Sequence, residues 1–162
     1  MGRRGAEGTA AFRQMMRRAK RNIDASRAAV SILRADSKVS QVLERALAEV
    51  ELTLPQFNVL MELASCSEEA LPLYELNNRL ISTPPNTSWL SKRMEDAGFV
   101  TRARDTGDSR VVILKLTERG WAKLDEAAPL VFEAEKNLLR TYSLAELRHL
   151  ADLLDPIVKA SV

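Results

Sequence analysis

Few residues in this chain are equipped for covalent or metal chemistry. It has 162 residues with one histidine, His149, and one cysteine, Cys66. A conventional zinc site and a nucleophile–histidine triad therefore both lack partners within one chain. There is no glycine-rich phosphate loop and no His-Glu-x-x-His pair, so no catalytic residue, cofactor or metal is expected. Cys66 has no histidine or lysine close by in sequence to activate it and reads as structural. The chemistry that remains is that of charge. It is concentrated in "DTGDSRVVILKLTERG", Asp105 to Gly120, where a loop of Asp, Thr, Gly, Asp and Ser delivers Arg110 to the start of a β-branched run.

An arginine presented at the exit of a tight turn is suited to probing DNA, whose dense phosphate charge attracts a guanidinium. Such a probe needs a hairpin to carry it, and the hydrophobic period supplies one. Phe99, Thr101 and Ala103 alternate with Val100, Arg102 and Arg104, and beyond the loop Val111 to Leu116 is rich in β-branched residues. Gly107 is expected to take positive φ at the tip.

Upstream the period is helical. From about Ala10 to Glu49 the pattern is that of one long helix, with residues 1–9 frayed and a break allowed near Asp36-Ser37. Val39, Val42, Leu43, Ala46, Leu47 and Val50 form its buried stripe. A second helix starts at Thr53 as N-cap, with Gln56 as reciprocal partner and Leu52 against Phe57 as a staple, and runs to about Ser65. An acidic loop precedes a short helix from Leu73 to about Leu80. Ser82 or Thr83 then caps another, with Pro84 and Pro85 in a first turn that tolerates them, and Gly98 follows its end. Thr117 caps a long helix bent at Pro129, and "SLAE", Ser143 to Glu146, opens a last helix with Leu147, Leu150, Leu154 and Ile157 on one face.

Helix, helix, turn, helix, hairpin, helix is the order of a winged helix-turn-helix, in which the second helix of the pair enters the major groove. In the Thr83–Asp96 helix, Thr87, Leu90, Met94 and Ala97 form the face that holds it to the body. Pro85, Ser88, Trp89 and Lys92, flanked by Asn86 and Arg93, form the face left for DNA. An indole there either meets DNA or packs on the hairpin or on a second subunit. Trp121, near the wing's base, is assigned to the core.

Composition agrees with a globular domain: 46% apolar and 28% charged residues. No apolar run approaches the roughly 18 residues of a membrane span, and the first thirty residues lack a signal peptide's apolar core, so a cytoplasmic location is expected. The net charge of +2 is unevenly spread: ten basic against three acidic residues in 1–40, but two against seven in 41–81. The N-terminal basic run "RQMMRRAKRN" reads as a solvated face rather than a phosphate site.

"LTLPQFNVLMELA", "LYELNNRL" and "SKRMEDAGFVTRARDTGDSRVVILKLTERG", together with the two closing helices, resemble the MarR family of bacterial transcriptional regulators. The likeness runs from about Val39 to the end and is most specific at Asp108, Arg110, Leu116 and Thr117. It implies a mainly α fold with a small β-hairpin: a winged helix-turn-helix at 53–117 between dimerisation helices at 1–52 and 118–162. It further implies a homodimeric repressor on palindromic double-stranded operator DNA, and a small anionic or phenolic effector bound between dimer helices and wing domains. Carried over, Arg110 enters the minor groove while Asp108 orients or neutralises arginines at the wing's base. Two positions depart from the family pattern: Tyr74 replaces a small capping residue, and Trp89 a polar or basic groove residue. An indole cannot make a bidentate contact to guanine. The runner-up reading is a winged-helix module that binds protein instead of DNA.

Overall fold

The Thr53 cap forms as its residue types require. Thr53 Oγ1 accepts from the Gln56 amide at 3.4 Å, and the Thr53 amide donates to Gln56 Oε1 at 3.0 Å, which satisfies two donors that the first helical turn would otherwise orphan. The structure, a computed structural model, describes residues 4–80 and 87–160. The elements are α1 (Arg4–Ala48), α2 (Leu54–Ala64), β1 (Ala70–Pro72), α3 (Leu73–Arg79), α4 (Thr87–Asp96), β2 (Val100–Arg104), β3 (Val112–Leu116), α5 (Glu118–Leu139) and α6 (Leu144–Val158).

Two contact-defined units divide the chain, Met1–Ser40 and Gln41–Val162. In the first, α1 is helical from Arg4 without interruption, so residues 4–9 are helical rather than frayed and the break allowed near Asp36-Ser37 is absent, while residues 1–3 of the expected frayed start lie outside the described residues. From Phe12 to Val39 its described side chains are exposed apart from a half-buried Ile32.

The second unit holds the core. Leu43 and Leu47 from the last turns of α1 join Phe57, Leu60 and Leu63 of α2, Leu76 of α3, Met94 of α4, Leu114 of β3 and Leu124 and Val131 of α5. Leu52 and Phe57, the staple pair, are both buried in this cluster. The three strands form one antiparallel sheet in the order β1-β3-β2. β2 and β3 pair from Val100↔Leu116 to Arg104↔Val112, as the alternation predicts. The third strand was not expected: Leu71 pairs with Leu114, and the Leu116 amide donates to the Glu69 carbonyl at 2.9 Å. Three residues ending in proline show no alternation to read, and Pro72 is tolerated because the strand is at an edge.

Ser143 and Glu146 cap α6 reciprocally, the Ser143 amide donating to Glu146 Oε2 at 2.8 Å. Yet α6 buries none of its residues: Leu144, Leu150, Leu153 and Ile157 all remain exposed. Pro129 lies within α5, which runs unbroken from Glu118 to Leu139.

Candidate nucleic-acid interface

α4 is held by one face only. Leu90 and Met94 are buried, as is Thr87, and Ala97 packs against the core from the following turn. Sequence reading missed Ser91, which is buried and donates from Oγ to the Ser88 carbonyl at 2.9 Å, a bond that lets a hydroxyl sit inside. At the end of α4 the Gly98 amide donates to the Glu95 carbonyl at 2.8 Å and the Phe99 amide to the Met94 carbonyl at 2.9 Å. That is a Schellman closure, and Gly98 takes φ of 77° to make it.

The opposite face of α4 leaves Ser88, Trp89, Lys92 and Arg93 exposed together, as the helical spacing predicts. Pro85 and Asn86, the remaining residues expected there, lie outside the described residues, as do the Ser82 and Thr83 caps. The Arg93 guanidinium carbon stands 4.7 Å from the centroid of the Trp89 ring, within cation–π range. Lys92 is engaged differently, meeting Glu95 Oε2 at 3.2 Å and Asp96 Oδ1 at 3.1 Å. Its hydrogen bonds to Asp96 and then Glu95 raise its pKa. A phosphate at this position would have to displace those carboxylates.

The hairpin places the second group. Its tip is set by Asp105, whose Oδ1 accepts from the Gly107 and Asp108 amides, each at 2.8 Å, an arrangement of side chain and backbone that mimics a turn. Gly107 has no positive φ. The expectation that the tip needs a left-handed residue is therefore corrected, because Asp105 supplies the turn's acceptors instead. Asp108 Oδ1 accepts from the Arg110 amide at 2.9 Å and lies 3.8 Å from Arg110 Nε. At the loop end of β2, next to the tip, Arg104 donates to the Ser109 carbonyl at 2.5 Å. Asp108 thus orients Arg110 itself, while Arg104 is bound by backbone. The Arg110 side chain is 94% exposed, and among the described residues Asp108 is its only ion-pair partner.

Thr117 joins the two groups. Its Oγ1 accepts from the Gly120 amide at 3.0 Å, capping α5, and donates to the Gly98 carbonyl at 2.7 Å at the end of α4. Close approach is needed for this: a Cβ on Gly120 would come within 2.1 Å of the Phe99 carbonyl oxygen. The wing and the outward face of α4 are therefore fixed to the same three-residue junction.

Cys66 is half-buried. Its thiol donates to the Glu62 carbonyl at 3.2 Å and accepts from Arg79 Nη1 at 3.4 Å. Arg79 comes from α3, 13 positions away in sequence, a contact that the residues flanking Cys66 do not announce. The same guanidinium is ion-paired with Glu75.

A helix pair with a polar outward face, fixed beside a hairpin that ends in an unspent guanidinium, defines a winged helix-turn-helix of the DNA-reading class. The family model for the transcriptional regulators SarA/Rot matches residues 41–127. The chain is 31% identical to the HTH-type transcriptional regulator PecS of Dickeya dadantii over 129 residues, 76% of this chain and 77% of PecS. It is 43% identical to TtmR of Methylorubrum extorquens over 74 residues, which span 46% of this chain and only 37% of TtmR. The structure of an Escherichia coli MarR mutant complexed with operator DNA superposes with a TM-score of 0.70 at 25% identity, covering 78% of this chain and 89% of that one. This protein belongs to the MarR family of winged helix-turn-helix transcriptional regulators, and it is a DNA-binding regulator.

Proposed function

We propose that the protein is a cytoplasmic homodimeric repressor that reads a palindromic operator with α4 in the major groove and the β2–β3 hairpin in the adjacent minor groove. Asn86, Ser88, Trp89, Lys92 and Arg93 would face the major groove, with Arg110 inserted and Asp108 holding it. The observation that carries this reading is the Arg110 side chain, 94% exposed at a tip whose backbone is locked by Asp105 and Asp108. With the tip backbone already ordered, insertion costs only the freedom of the side chain itself. Among the described residues no helix is long and apolar enough to cross a membrane, in keeping with a role on DNA.

Dimerisation would use residues 1–52 and 118–162. The uncovered Leu144, Leu150, Leu153 and Ile157 of α6 support this, since an amphipathic helix that buries nothing within its own chain has its apolar face left for a partner. Two-fold pairing would then match the operator's symmetry. A small-molecule effector would release the repressor by favouring a state in which the two α4 helices no longer fit successive grooves. Gel-shift titration against its own upstream intergenic duplex and against random duplex tests the reading. Tight binding to the first at salt that abolishes the second is expected, and equal binding to both would contradict sequence-specific repression.

A further inference from the structure

We infer that the cleft between α2, α5 and the end of α1, within residues 41–162, binds an organic cation with an aromatic or apolar body and rejects anions. The inference rests on the regulator reading above, for which this cleft would be the effector site. The cleft has a volume of about 290 Å3, the low end of the range for small-molecule sites. Its walls are apolar and aromatic: Leu43, Phe57 and Val131 are buried, Met61 is partly so, and Phe132 stands 56% exposed beside them. Two carboxylates are set into these walls, Glu62 from α2 and Glu135 from α5, and no lysine, arginine or histidine lines the cleft.

Both glutamates are half-buried, and neither takes part in an ion pair among the described residues. Arg79 feels Glu62 but faces the adjoining cleft, where Glu75 and the Cys66 thiol hold it. Two unpaired negative charges in a partly desolvated space repel an anion and attract a cation more strongly than they would in bulk water. Phe57 and Phe132 place two aromatic rings in the same walls, where a ring face can attract a cation, and the Met61 thioether adapts to a ligand's shape. This departs from the anionic or phenolic effector that the family resemblance implies.

The cleft also has a route to the DNA-reading elements. α5 forms one of its walls, and the first turn of α5 is tied through Thr117 to the end of α4. A ligand that spreads α2 from α5 would therefore load the junction that fixes both α4 and the wing.

The test uses the full chain, with benzyltrimethylammonium and salicylate as probes in calorimetric titrations of wild type, of Glu62→Gln/Glu135→Gln and of Phe132→Leu. The cation should bind at least about tenfold more tightly than salicylate, lose about tenfold in the double variant and weaken severalfold in Phe132→Leu. Salicylate should not lose affinity in the double variant. The inference is overturned if salicylate binds wild type as tightly as the cation, if the double variant leaves cation affinity unmoved while retaining its fold by circular dichroism, or if millimolar cation gives no heat. Duplex-DNA binding without either probe is measured in parallel. A protein that takes the cation but no DNA contradicts the regulator reading and leaves the cation site standing; one that binds DNA and salicylate but not the cation does the reverse.

Discussion

Arg93 stacks over Trp89, its guanidinium carbon 4.7 Å from the indole centroid, and the pair occupies the exposed face of α4, the helix proposed to enter the major groove. The stack orders a long, flexible side chain before binding, so less freedom is lost when its fork meets a base edge. On the proposed reading, the stack would give Trp89 a part in recognition that an indole could not play through bidentate hydrogen bonds.

Replacing Trp89 with alanine should therefore cost discrimination more than affinity. Binding to operator should weaken by about 1–3 kcal/mol while binding to random duplex barely changes, and the salt dependence should stay the same because no phosphate contact is lost. Arg93→Ala should give a similar loss on operator, and the double variant should fall short of the sum, since each residue acts through the other. Additive losses in fluorescence-anisotropy titrations would mean that the stack has no role on DNA.

Gly120 is required by geometry. A methyl group there meets the Phe99 carbonyl oxygen at 2.1 Å, so Gly120→Ala must push the first turn of α5 away from the backbone at Phe99, just before β2. Overpacking of this kind costs about 1–3 kcal/mol. Urea unfolding should show that loss as a lower midpoint with an unchanged slope; a midpoint equal to wild type would refute the close approach.

The α6 cap should make stability pH-dependent. The Ser143 backbone amide, with its hydroxyl, lowers the Glu146 pKa below the ordinary glutamate value. A carboxylate depressed in the folded state contributes stability above its unfolded pKa and loses it as pH falls through the folded value. The loss should therefore fall below about pH 4. Glu146→Gln keeps an acceptor for the cap but cannot titrate, so the gap between its urea midpoint and that of wild type should narrow on acidification. A gap constant with pH would contradict the charge contribution.

If α6 pairs with a second copy, sedimentation at micromolar concentration should give about twice the chain mass of 18.1 kDa. Leu153→Glu, at an exposed position on α6, should shift the protein to monomer with its helix content kept. A wild-type monomer would remove the basis for two-fold operator binding.

Much of this architecture is legible in the residues because it rests on local rules. Thr53, Thr117 and Ser143 each cap the helix they announce, Gly98 closes α4, and strict alternation fixes the register from Val100 to Arg104. What escaped depends on contacts distant in sequence or on competing acceptors. β1 is defined by its pairing with β3 and not by its own three residues. The Gly107 expectation failed because Asp105 does the work of a left-handed residue, and the Arg79 contact to Cys66 spans 13 positions. The outward face of α4 was legible from period alone; that Lys92 is tied to Glu95 and Asp96 on its own helix was not weighed beside it.

The central claim is that Arg110 inserts into DNA. Affinity of wild type and Arg110→Ala for operator and for random duplex, each followed across a series of salt concentrations, tests it most directly. Loss of one insertion per subunit should weaken binding to both DNAs by similar factors and make the slope of log affinity against log salt shallower by about two for the dimer. An Arg110→Ala protein with wild-type affinity and wild-type salt slope on both DNAs would show that the hairpin from Val100 to Leu116 is not a DNA-reading wing.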